Sequence, residues 1–293
     1  MNINVRLEIT KKRVQELTKH FPYTAWEINM LTIAYVAMSM LDFEITDLLD
    51  EAYSRIFILF NDGSFDKHFW KYDPDSLDYS ACYMVPSFDN DRKYNDDFIL
   101  INECDIHPIR FLFDQLMHEL KHALNTIIKG FQKRDGLAFF HCGIGWEEYE
   151  GETYWSFLEE LFNDYLVQIY LEQIRIMKDM TISDAEIRAI LDDFDLPKEY
   201  EYSYHSTELL VPLFKNSEYF WLFYNAALYK DYEPFLKGLD EIFKKDLYGN
   251  PIEDSYFSVA DFLDNLISDY QNKTASKEFC FDVQDYFVRT LKR

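Results

Sequence analysis

At 293 residues, with 48 % apolar and 18 % aromatic side chains, the chain can bury a large core and lacks the composition of a disordered protein. A formal charge of −24 repels phosphate backbones and anionic lipid, which argues against nucleic acid and membrane as partners. Such a surface would suit a basic partner, although solubility is the simpler account of it. Eight glycines and eight prolines are too few for a β-sandwich or a run of tight turns. The four cysteines, Cys82, Cys104, Cys142 and Cys280, form no close pair. They read as reduced thiols and, with a charge-rich stretch from Asn2 to Lys19 in place of a signal peptide, point to a cytoplasmic protein.

In chain order, the first forty residues predict two helices parted at Phe21-Pro22-Tyr23-Thr24, with Thr24 as the N-cap of the second. That second helix, from Ala25 to Leu41, carries Glu27 and Asn29 and is short for a bilayer, so it is expected to be buried in protein. A short helix is expected between Leu41 and Tyr53. β-like runs follow at Arg55 to Phe60, Ala81 to Val85 and Asp97 to Ile101, the first stopped by Asn61-Asp62-Gly63. The period then changes: apolar residues at 109, 112, 113, 116, 120, 123, 124 and 127 trace a helical stripe over 108–129, with Pro108 at its start and Gly130 at its stop. A second long helix is expected over 153–179. Helices are expected throughout the rest: 183–193, capped by Ser183 with Glu186, then 206–215, 217–229, 232–244 and 259–270. All strands would then lie in the first 105 residues.

The chemistry is concentrated in His118-Glu119-Leu120-Lys121-His122. Residues four apart on a helix share a face, so both histidines can reach one ion while Glu119 stands beside it as a base for metal-bound water. This is the H-E-x-x-H arrangement of zinc hydrolases. A catalytic zinc needs a third protein ligand, and Leu158-Glu159-Glu160-Leu161-Phe162-Asn163-Asp164 offers two. Glu160 with Asp164 is preferred, Glu160 binding the metal and Asp164 accepting the free ring N–H of a ligand histidine. Glu159 with Asn163 is the competing pair. Taken alone, the segment would pass for a solvated acidic face.

HELKH followed by a helix bearing Glu-x-x-x-Asp resembles the gluzincins, thermolysin-like peptidases with two histidines and a glutamate. More narrowly, HELKHALN, then Arg134-Asp135-Gly136-Leu137, then LEELFNDYL resembles small bacterial zincins whose third-ligand helix commonly reads L-N-E-G-x-T-E. The likeness spans about residues 96 to 170. The chain departs from it in having Glu159 where Asn is usual and Leu161 where Gly is usual. The resemblance implies an edge strand before the metal helix that pairs with an extended substrate, a place occupied by residues 97–101. It also implies an oxyanion donor after the third ligand, for which Tyr204 is preferred over Tyr202 and His205, with His141 and Tyr149 as weaker rivals.

The expectation is therefore an α+β, mostly helical protein. A zincin-like region over 1–180 would hold the metal helix 108–129 and the third-ligand helix 153–179, followed by a helical lobe over 181–293. It would bind Zn2+ through His118, His122 and Glu160 and hydrolyse a peptide or protein substrate, with Glu119 and Tyr204 as catalytic residues. The alternative is a catalytically silent zincin-fold interaction protein that works through its acidic surface.

Overall fold

A computed structural model describes residues 2–42, 44–61, 80–84, 98–102, 107–127, 131–134, 137–148, 153–195, 202–252, 256–272 and 274–291. Among them the chain is mostly helical. In order it forms helices α1 (Ile3–Leu17), α2 (Ala25–Leu41) and α3 (Thr46–Arg55), then strands β1 (Phe57–Phe60), β2 (Ala81–Met84) and β3 (Phe98–Ile101). Helix α4 (Ile109–Ile127) leads to strands β4 (Phe131–Arg134), β5 (Leu137–Cys142), β6 (Gly145–Glu148) and β7 (Thr153–Tyr154), then to helix α5 (Ser156–Lys178). Helices α6 (Ala185–Asp193), α7 (Thr207–Phe214), α8 (Ser217–Tyr229), α9 (Tyr232–Ile242), α10 (Tyr256–Gln271) and α11 (Lys277–Leu291) complete it. No described helix is long and apolar enough to cross a membrane.

The contacts group the chain into two compact units, residues 1–124 with 167–200 and residues 125–166 with 201–293. Their limits fall within α4 and α5.

The first unit is organised on α2. Thr24 caps it through a full capping box with Glu27, satisfying two amide donors at once. From Ile28 to Ser39 every residue of this helix is buried, which explains a sequence that is apolar on all sides. The phenol of Tyr53 on α3 donates to the Leu31 carbonyl (3.0 Å), and Arg6 on α1 donates to the Ser39 carbonyl (2.7 Å). The sheet has the order β1-β3-β2, with β1 parallel and β2 antiparallel to β3. The strand expected at a sheet edge, residues 97–101, is thus hydrogen-bonded on both sides over 98–101 and is the middle strand (Asp97 lies outside the described residues). A parallel β1–β3 pair needs a crossover, and here β2 comes in on the far side of β3.

In the second unit β4, β5, β6 and β7 form an antiparallel meander. These four strands overturn the expectation that all strands precede residue 105. Each is six residues or fewer and draws its hydrogen bonds from its neighbours, so little of it shows as local periodicity. The core of this unit is aromatic. Phe162 on α5 packs against Phe214 of α7 and Phe220 and Phe223 of α8 at ring separations of 5.3–5.9 Å. Two details differ from the sequence reading. Helix α6 is capped by Asp184, which accepts from the Glu186 and Ile187 amides, while the Ser183 amide and hydroxyl turn to Asn4. Helix α11 had no counterpart in the pattern reading.

Candidate metal centre

Helix α4 carries a wide apolar surface, with Leu112, Phe113, Leu116, Met117, Leu120, Ala123 and Leu124 all buried. Its other side is enclosed as well. Glu119 and His122 are each only 8 % exposed, and Lys121 and Asn125 are fully buried. Helix α5 repeats the pattern, with Glu159, Asn163, Asp164 and Gln168 buried where a solvated acidic face was the plain alternative. Enclosing this many polar groups is costly unless each is held by a partner or an ion. Their concentration on two helices marks a site.

One turn separates His118 from His122, and their Nε2 atoms stand 3.1 Å apart. Two nitrogens each about 2.0–2.1 Å from one tetrahedral ion would stand roughly 3.3 Å apart, close to the observed spacing. Glu160 of α5 completes the group: one ligand atom from each of His118, His122 and Glu160 lies within 4.8 Å of the other two. Two imidazoles and a carboxylate, with His122 buried and the other two half-buried, form a donor set that could hold a metal ion.

Glu159 is engaged elsewhere. Its carboxylate accepts from the side-chain amide of Asn125 and from the Ile144 backbone amide (2.7 Å). Of the two adjacent glutamates, Glu160 is the one grouped with the histidines. Neighbouring helical residues point about 100° apart, so only one of them can meet the histidines.

Asp164, expected behind a ligand histidine, is buried and holds a turn of the chain. Its two oxygens accept from the amides of Ser203 (3.0 Å) and Tyr204 (3.1 Å) and from the Thr207 hydroxyl (2.7 Å). Tyr204, the expected oxyanion donor, is in this way tied by its backbone to the residue one turn beyond Glu160 on α5, with a partly exposed side chain. Tyr202 is also partly exposed, and His205 is exposed with its ring 5.2 Å from that of Tyr270. The side chain of His141, and Tyr149 altogether, lie outside the described residues.

The start of α5 is held by α10. Trp155, with a left-handed φ of 56°, donates its indole N–H to Asp261 (2.7 Å), and the Leu158 amide donates to Asp264 (2.9 Å). A carboxylate at a helix N-terminus suits the dipole there. Burial nevertheless pushes Asp264 up to about 6, helped by the charge of Asp261 and opposed by the backbone donors. A folded-state value above the unfolded one means that the folded protein takes up the proton first, so this group adds stability as pH falls from about 7 towards 4. Asp264→Asn should flatten that dependence. The stability difference between variant and parent is expected to change by about 2–3 kcal/mol between pH 7 and 4, read by urea unfolding. A pH-independent difference would refute the assignment.

Comparison of the chain with protein-family models, with curated proteins and with solved structures returns no match.

Proposed function

We propose that the protein is a zinc-dependent metallopeptidase of the gluzincin type. The observation that supports this reading is the meeting of His118, His122 and Glu160 within ligand distance, with a buried Glu119 next to His118 in the chain. A zinc ion held by these three residues would supply a Lewis acid and a water acidified towards neutrality. The remaining work belongs to the protein. Glu119 accepts the proton of the attacking water and delivers it to the departing amine nitrogen as the peptide C–N bond breaks. The Tyr204 phenol donates a hydrogen bond to the developing oxyanion. Asp164, whose carboxylate accepts from Ser203, Tyr204 and Thr207, would also accept the ring N–H of a ligand histidine. That bond would fix the tautomer that presents Nε2 to the metal.

A buried carboxylate at position 119 favours an enzyme over a silent binding protein, since a purely structural zinc site has no use for a base there. The test is metal content and ligand loss. After exhaustive dialysis against chelator, the full chain should take up about one Zn2+. Glu160→Ala should weaken that binding by at least about two orders of magnitude, more than the roughly 10–100-fold that loss of an outer partner costs. Failure of the parent protein to bind zinc would overturn the proposal, and so would an unchanged affinity in Glu160→Ala.

A further inference from the structure

Glu159 is not a spare carboxylate, and its surroundings suggest what it is for. It is 2 % exposed, and both of its oxygens are occupied, Oε1 by the Asn125 side chain and Oε2 by the Ile144 amide. Asn125 is fully buried on α4, three residues beyond His122. Ile144 belongs to the two-residue turn between β5 and β6, whose other member, Gly143, has a φ of 67°. A Cβ on Gly143 would fall on the Glu159 carboxylate, so this position needs glycine for space as well as for backbone conformation. From the opposite side Lys230 closes a ring. Its ammonium donates to the backbone carbonyl of Asn125 and to that of Gly143 (3.0 Å), and the Tyr232 phenol donates to the same Gly143 carbonyl (2.9 Å). Lys230 is itself left-handed (φ 59°) where α8 ends.

The result is a closed polar ring in which a buried carboxylate and a lysine clasp the Asn125 end of α4, the Gly143–Ile144 turn and the first turn of α5. Glu159 is the member that joins the two helices directly. It precedes Glu160 in the chain, and its partner Asn125 follows His122 by less than a turn. We propose that Glu159 is a positioning residue that sets the approach of Glu160 to His122, with the Gly143–Ile144 turn as its brace, and that it does so without binding the metal itself. This rests on the metal-site reading above. Buried charge-assisted hydrogen bonds that orient a ligand are worth about 10–100-fold in metal affinity.

The polarity of the ring provides a test that separates positioning from general stability. In Glu159→Gln one side-chain oxygen remains for the Ile144 amide, and an NH2 group is turned towards the NH2 of Asn125. Adding Asn125→Asp restores one donor and one acceptor across that contact and returns the same net charge. Full-length parent, E159Q, N125D and E159Q/N125D proteins would be stripped of metal and titrated with Co2+, with Zn2+ competition for affinity and visible d–d absorption for ligand geometry. The expected result is a loss of about 10–100-fold in affinity with shifted d–d bands in E159Q, and recovery of most of both in the double variant. N125D alone, which sets two carboxylates against each other, should resemble E159Q or be worse. Should E159Q fail to fold, the comparison of N125D with the double variant carries the same rescue. Parental affinity and spectrum in E159Q, or no recovery in the double variant, would overturn the inference while leaving the metal site standing. A parent protein that takes up neither ion refutes the site itself and this inference with it.

Discussion

Glu119→Gln is expected to retain the metal and to lose peptide hydrolysis by about 10²–10⁴-fold in kcat. The substitution keeps the shape and volume of a side chain that is only 8 % exposed, so fold and ligand geometry should persist. What disappears is the capacity to accept and return a proton, since an amide oxygen is a far weaker base than a carboxylate. Because Glu119 lies outside the group of His118, His122 and Glu160, zinc stoichiometry should stay near one per chain, and KM should change little. Cleavage of a pooled quenched-fluorescence peptide library, followed alongside metal content, separates the two effects. Normal turnover in E119Q would show that the proton is carried by another group. Loss of metal together with activity would show that Glu119 has a role in holding the ion.

Asp164→Ala is expected to be among the most destabilising single changes in the second unit, by about 3–5 kcal/mol. It strips the acceptor from two amides and a hydroxyl at once, those of Ser203, Tyr204 and Thr207, and the Thr207 side chain is fully buried. No water-exposed route remains to satisfy that hydroxyl, so it bears most of its desolvation cost. Thr207→Val removes one of the three donors in a nearly isosteric way and should cost only about 1 kcal/mol. Urea unfolding with an unchanged m-value would read both effects as shifts of the midpoint. A loss below about 1 kcal/mol in Asp164→Ala would mean that the Ser203–Thr207 turn stands without it. The pair also has functional content, because this turn carries Tyr204. Thr207→Val retains both amide bonds to Asp164 and should spare activity, whereas Asp164→Asn gives up one charged oxygen and should lower turnover.

The legible part of the site was the part that helical geometry alone decides. His118 and His122 are four residues apart, so their alignment follows from 3.6 residues per turn whatever surrounds them, and their Nε2 atoms indeed stand 3.1 Å apart. Glu160 and Asp164 follow the same spacing on α5, and Glu160 lies in the group with the two histidines. The reason Glu159 is unavailable was not legible. Its partners Asn125 and Ile144 are 34 and 15 residues away in sequence, and Lys230, which closes the ring, is 105 residues from Asn125. No local pattern links residues at such separations.

The same division runs through the fold. Thr24 with Glu27, the continuous apolar run of α2 and the stripe of α4 are local signals, and each became the expected helix because neighbouring side chains and backbone amides suffice to specify it. The β5–β6 turn, the order β1-β3-β2 and the use of Asp184 in place of Ser183 as a cap depend on competition between distant partners. Enclosure of the polar side of α4 and of the acidic face of α5 is of that kind too. A run such as Leu-Glu-Glu-Leu-Phe-Asn-Asp has the same hydropathy whether water or another helix covers it. By itself the sequence determined a helix with two aligned histidines and a glutamate between them, and a second helix with acidic residues one turn apart. Only the tertiary structure decided which carboxylate is grouped with the histidines, because a helical sequence by itself does not fix which of its faces meets another helix.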